Sequence, residues 1–264
     1  MKLHIVPART GLQWVRLGMK TFFRQPLALA GLFFMFMAAV SVISLVPLLG
    51  TFVSLGLVPA ATLGLMAASR EASQGRFPMP SLLVLAFRSG AEQTRNMLIL
   101  GALYAGGLML VLGLSALLGP EVPPPPADLP SGEVSPEMVR ALFADTGLWV
   151  AMVLYIPLFM AFWHAPALVH WHRVSPLKSL FFSVMACWSN KWAMLFYFLG
   201  WVGVFMLVGL VMSLIGGIAG GSQFAGMVLY PIVLLLASMF HASIYFTFRD
   251  SFVTEDTTAQ TGDR

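Results

Sequence analysis

Two histidines lie inside long apolar stretches in matching surroundings. His164, in Trp163-His164-Ala165, stands nine residues before Arg173, and His241, in Phe240-His241-Ala242, stands eight before Arg249. On helices that rise about 1.5 Å per residue, both imidazoles lie about 12 to 14 Å inward of those charges. An ionisable group at such depth must replace its lost hydration with a partner or with water, which makes it a functional candidate. Two chemistries fit. A neutral imidazole can hydrogen-bond a carbonyl or hydroxyl across a helix interface, or it can meet a proton or substrate in a passage. Pro157 and Pro231 precede the two histidines in their stretches, and with Pro59 and Pro166 they mark places where a helix can bend around a cavity or against a neighbour.

Other chemistries find little to work with. His164, His170 and His172 share a stretch, but 164 and 172 are about two turns apart and no carboxylate or thiolate joins them, so no metal site is expected. Ser222 and His241 are separated by roughly 28 Å of helix, too far for a nucleophile and its base. The sequence has no Walker loop, dinucleotide fingerprint or paired intramembrane carboxylates. No residue is assigned a catalytic role and no cofactor is expected. Cys187 is the single cysteine and reads as a small apolar filler. His170 and His172, beside Trp171 and Arg173, read as contacts to lipid headgroups.

The stretches that carry these residues belong to a membrane. Of the 264 residues, 58% are hydrophobic and only 10% charged, against about 25% charged in ordinary globular domains. No Asp, Glu, Lys or Arg occurs from Gln25 to Ser69, Asn96 to Pro120, Thr146 to His172 or Trp192 to Phe248. A hydrocarbon core of about 30 Å needs roughly 20 helical residues, so the first and last runs each hold two spans. The turn Pro47-Leu48-Leu49-Gly50 divides the first, and the glycines at 216, 217, 220 and 221 divide the last. The expected spans lie near 27–46, 51–68, 97–118, 148–171, 193–215 and 227–248. The basic N-terminal stretch superficially resembles a signal peptide, but the apolar run after it is too long for one and reads as a retained first helix.

Six spans place both termini on one side. Fourteen of the fifteen Lys and Arg residues fall on that side, and only Arg140 lies opposite. The terminal side is therefore expected to be cytoplasmic. The net charge of +4 orients the chain in the membrane; no nucleic-acid partner is expected, because nearly every cation flanks a span. The segment 119–147 is the periplasmic loop, opening with prolines 123–126 in extended geometry and offering a short helix from Ser135-Pro136. Its scattered carboxylates read as a solvated loop. Residues 249–264 form a cytoplasmic tail.

A repeat runs through the connectors. Arg16, Lys20 and Arg24 share a helix face, with Trp14, Val15, Met19, Phe22 and Phe23 around the remaining surface. Arg88, Glu92 and Arg95 accompany Leu82, Leu83, Leu85 and Phe87. Lys178, Ser179, Ser183, Asn190 and Lys191 accompany Leu177, Leu180, Phe181, Val184, Met185 and Trp188. Each is expected as an amphipathic helix in the membrane interface, with Arg16, Lys20, Arg24, Arg88, Arg95, Lys178 and Lys191 meeting lipid headgroups. Gly56, Ala60, Gly64 and Ala68 recur at every fourth position of the second span, and Ala102 with Gly106 and Gly216 with Gly220 repeat the spacing. Small residues so spaced admit close helix packing.

The fold expected is all-α: one integral membrane domain over 1–264, with six transmembrane helices in three parallel units of an elbow helix and a hairpin. The stretches Lys2-Leu3-His4-Ile5-Val6-Pro7-Ala8-Arg9-Thr10-Gly11-Leu12-Gln13-Trp14-Val15-Arg16 and Phe162-Trp163-His164-Ala165-Pro166-Ala167-Leu168-Val169-His170-Trp171-His172-Arg173-Val174-Ser175-Pro176-Leu177-Lys178 resemble a family of Gram-negative inner-membrane proteins without an assigned activity. That resemblance implies a six-span inner-membrane protein. The run from Ser175 to Ser183, followed by Asn190-Lys191-Trp192, is also similar to the membrane domain attached to some glycerophosphodiester phosphodiesterases, whose catalytic domain has no counterpart in this chain. Two functions fit these readings. One is a non-enzymatic component that binds membrane lipids, a protein partner or a second copy of the chain. The other is a passage for a neutral solute or lipid with His164 and His241 lining a cavity.

Overall fold

The computed structural model describes residues 2–47, 49–119, 140, 143–218 and 222–253. The prolines at 123–126, the helix expected from Ser135, the glycine turn at 220 and 221 and the tail beyond Val253 lie outside them. A two-residue strand β1 (Lys2–Leu3) leads to helices α1 (Thr10–Arg24), α2 (Pro26–Ser44) and α3 (Leu49–Ser73). A 3-10 helix over Pro80–Phe87 precedes α4 (Ala91–Leu118), which is followed by α5 (Thr146–Trp163) and α6 (Ala165–Trp171). Helices α7 (Pro176–Ser189), α8 (Lys191–Ile218) and α9 (Ser222–Ser251) complete the bundle, and strand β2 (Phe252–Val253) pairs antiparallel with β1. Residues 3 and 252 are thereby clamped at one end of the molecule.

Among the described residues six segments are long and apolar enough to cross a membrane: α2, α3, α4, α5 with α6, α8 and the part of α9 from Pro231. Helices α3 and α9 are inner helices, each with 56% of its most apolar window buried, whereas the other four bury 11 to 28%. The remaining surfaces are leucine, valine and phenylalanine. In water that exposure would be costly, but against lipid tails it costs nothing. One buried cluster gathers around Trp14, Trp163, Tyr197, Trp201 and Phe246 and includes Phe252 of β2.

Local sequence explains the hairpin and the caps. Pro26 opens α2 at its first position, where its missing N–H is no loss. In the turn between α2 and α3, a Cβ on Gly50 would run into the carbonyl oxygen of Ile43. Asp145 caps α5, its carboxylate accepting the N–H of Gly147 at 2.8 Å.

Three expectations change. The connector before the third span is a 3-10 helix rather than an amphipathic α-helix reaching Arg95. Pro78 and Pro80 open it, and Gly90, at φ +103°, turns the chain into α4, which carries Arg95 in its first turns. The fourth span is not continuous, because it breaks at His164. The third concerns α1, whose apolar side faces the protein. Trp14, Val15 and Gly18 are buried against α8 and α9, where a Cβ on Gly11 would strike the Ala193 carbonyl and one on Gly18 the Ser243 side chain, and Phe22 is buried in a cluster with α2 and α3.

The small-residue stripe packs within the chain. A Cβ on Gly101 of α4 would collide with the carbonyl of Gly56, and one on Gly64 would come within 2.7 Å of the Leu82 carbonyl oxygen in the 3-10 helix. Ala60 and Ala68 are buried. On α4 the contact uses Gly101 and Ala105; Ala102 and Gly106 lie one position round the helix, on its exposed face. Gly220 lies outside the described residues.

Candidate functional site

The break at His164 follows from Pro166. A proline ring clashes with the carbonyl four residues earlier and removes a hydrogen bond, so the helix opens one turn before it. Ser183 of α7 fills the opening. The His164 backbone N–H donates to Ser183 Oγ at 2.9 Å, and that hydroxyl donates on to the Met160 carbonyl at 2.7 Å. The serine thus relays the bond that His164 would have made directly in an unbroken helix.

The His164 side chain is only 1% exposed. Thr247 Oγ1 donates its proton to the Ile244 carbonyl at 2.7 Å, so toward its other neighbours it can only accept. It receives Trp163 Nε1–H at 3.0 Å and His164 Nε2 at 3.2 Å. The network therefore assigns the imidazole proton to Nε2. His164 Nδ1 faces the Cys187 thiol at 3.8 Å. Cys187 lies on α7, outside the spans, and burial pushes its thiol up to about 12, which leaves it protonated and unreactive at neutral pH.

His241 has a different setting. Its Nδ1 meets the Ala237 carbonyl one turn earlier at 2.8 Å, which makes Nδ1 the donor and leaves Nε2 as an acceptor. The ring lies 5.0 Å from that of Phe33. His241 also lines a cavity of about 250 Å³ with Pro59, Thr62, Tyr104, Tyr155 and Phe162. His164 is not among the residues lining it. The two histidines that match in sequence occupy separate sites, one packed dry and one beside a space.

The end of the bundle where the strands meet is held by polar side chains. Asn190, 2% exposed, accepts the Val6 N–H at 2.8 Å through Oδ1 and donates from Nδ2 to the His4 carbonyl at 3.0 Å. Trp14 Nε1–H donates to Asp250 Oδ2 at 2.8 Å, and Arg249 Nε donates to Asp250 Oδ1 at 2.7 Å. Behind this knot lies a vestibule of about 820 Å³, lined by Arg70, Trp171, His172, Tyr245, Arg249 and Asp250 among others. Burial lowers the pKa of His172 below the usual histidine range.

The seven cations expected at headgroups, Arg16, Lys20, Arg24, Arg88, Arg95, Lys178 and Lys191, are all exposed. Arg24 also donates to the Ser73 carbonyl at 2.6 Å. Helix α7 turns its small residues Ser179, Ser183, Ala186 and Cys187 inward. Its Leu177 (70% exposed), Phe181 (61%) and Trp188 (62%) face outward, and Lys191 lies 5.2 Å from the Trp188 ring centroid.

Ser183, Thr247 and Asp250 emerge as structural residues from contacts between distant helices. Ser179 and Ser183, four residues apart within the apolar run of α7, are the one trace of this in the sequence. No protein-family model matches the chain, and no solved structure matches it. A curated protein of Burkholderia thailandensis, named as a probable inner membrane protein, is 36% identical over 258 residues, covering 97% of this chain and 96% of the relative. Likeness at that level over the whole length, with six segments fit to cross a membrane, places the chain in the family of that inner-membrane protein.

Proposed function

We propose that this multi-pass inner-membrane protein is a non-enzymatic component that binds anionic lipid at the end of the bundle where β1 and β2 pair. The observation that carries the reading is α7, whose large apolar side chains point out of the protein beside Lys178 and Lys191 while its small polar ones point in. An outward face of Leu177, Phe181 and Trp188 suits the boundary between headgroups and acyl chains, where aromatic and cationic side chains settle together. Arg16, Lys20 and Arg24 supply a second cationic face, on a helix fixed to the bundle by its buried side. The end that bears these cations is assigned to the cytoplasm, where anionic lipid gives the leaflet a negative surface.

The test is the lipid that the full chain retains after extraction in a mild detergent. Enrichment of anionic lipid over its share of the source membrane is expected, and a retained pool with bulk composition counts against the reading. A second reading, a passage for a neutral solute or lipid, draws on the cavity beside His241. It would use His241 and not His164, whose polar atoms are engaged within the packed core.

A further inference from the structure

The vestibule at the terminal end carries more positive charge than its carboxylate can absorb. Arg70 and Arg249 line it, and a neighbouring cavity of about 320 Å³ shares Gln74, Tyr245 and Arg249 with it and adds Lys20 and Arg24. Among the described residues Asp250 is the one carboxylate lining either space, and its two oxygens already accept from Trp14 and Arg249. Glu71, next to Arg70 in sequence, is paired with Arg76. Arg70 makes no ion pair among the described residues. Its guanidinium is held 5.8 Å from the Trp171 ring centroid, and that of Arg249 lies 5.0 Å from Phe246. Both act electrostatically on the same Tyr245 side chain.

These features describe a receptor for a multiply charged oxyanion. Guanidinium groups match phosphate oxygens through forked hydrogen bonds, and stacking on aromatic rings restrains the arginines before a ligand arrives. Low-dielectric walls of Trp171, Tyr245 and Phe248 concentrate the field inside the cleft. A volume of about 820 Å³ accommodates a small organic phosphate with room for water.

We propose that the cleft between α1, α3 and α9 binds a phosphate-bearing ligand, with the phosphate between Arg70 and Arg249 and its organic part against Trp171 and Tyr245. This goes beyond the lipid-binding reading and does not need it, because the phosphate can belong to a soluble ester as well as to a headgroup.

The experiment uses the full chain in nanodiscs of phosphatidylcholine, which carries no net charge, titrated in one arm with glycerol 3-phosphate and in the other with dihexanoyl phosphatidic acid. Saturable one-to-one binding is expected in at least one arm. Binding of the glycerol phosphate identifies a soluble ester, and binding of the lipid alone identifies a headgroup. Arg70→Gln and Arg249→Gln should each weaken it at least tenfold, Arg70→Lys less than fivefold, and Arg88→Gln, outside the cleft, less than twofold. Should a cleft variant fail to fold, phenylglyoxal labelling of the wild-type protein answers instead, with ligand protecting Arg70 and Arg249 but not Arg88. The proposal is overturned by the absence of saturable binding in both arms, by wild-type affinity in either glutamine variant, or by equal protection of all three arginines. Loss of retained anionic lipid on substituting Arg16, Lys178 and Lys191, which line neither space, bears on the lipid reading alone.

Discussion

The hydroxyl of Ser183 accepts the backbone N–H of His164 at 2.9 Å from another helix, and by donating to the Met160 carbonyl it restores the ladder that Pro166 interrupts. The fourth span consequently draws part of its stability from α7. Ser183→Ala leaves a buried donor and a buried acceptor without their partner, a loss of about 2 to 4 kcal/mol. Thermal unfolding in detergent should show Ser183→Ala well below the wild type and Ser183→Thr, which keeps the hydroxyl, closer to it. Equal midpoints for all three would remove the relay from the description of the fold.

How far this was legible in the sequence depends on the range of each interaction. The spans follow from uncharged runs longer than a bilayer requires, a property of each segment alone. Pro166 was visible as a breaker, but its repair depends on Ser183, which only the packing of α7 brings into place. On α4, Ala102 with Gly106 and Gly101 with Ala105 have the same spacing, and only the position of α3 selects the second pair. The matching tripeptides around His164 and His241 suggested equivalent roles. Their surroundings differ because one histidine lies at a proline break and the other in an unbroken helix. The pairing of β1 with β2 involves two residues from each end, too few to leave a period.

Glycine positions give a paired test. Gly18 lies against the Ser243 side chain, so Gly18→Ala forces α1 away from α9 and should cost about 2 kcal/mol or more. Gly31 has nothing within 4 Å of its absent Cβ. Gly31→Ala should leave stability within about 1 kcal/mol, on the favourable side, through helix propensity. Chemical or thermal unfolding of both variants in one detergent makes the comparison, and equal losses would place α1 elsewhere than against α9.

Cys187 provides a probe without mutation. It is buried, and its thiol is pushed up to about 12 by desolvation. Only the thiolate attacks a maleimide, and the thiolate fraction at pH 8 is negligible for such a group. Folded protein should therefore resist N-ethylmaleimide at pH 8 and label fully after denaturation in sodium dodecyl sulfate, as read by intact mass. Rapid labelling of the folded protein would show that α7 detaches from α5 and α6.

The orientation assigned from the cations predicts a pair of reporter results. Green fluorescent protein fused after Arg264 should fluoresce, and alkaline phosphatase fused near residue 130 should be active. The reverse pattern would place the cationic end in the periplasm and separate α1 and α7 from the anionic leaflet.

The most direct measurement is native mass spectrometry of the wild-type chain beside an Arg16→Gln, Lys20→Gln, Arg24→Gln variant, both extracted in the same mild detergent. These side chains are exposed, and among the described residues the only hydrogen bond they make is that of Arg24 to the Ser73 carbonyl, so the variant should fold. The wild type is expected to carry several bound anionic lipids and the variant distinctly fewer, with zwitterionic lipid unchanged. Identical lipid counts, or equal retention of zwitterionic and anionic lipid by the wild type, would contradict a lipid-binding role for this end of the protein.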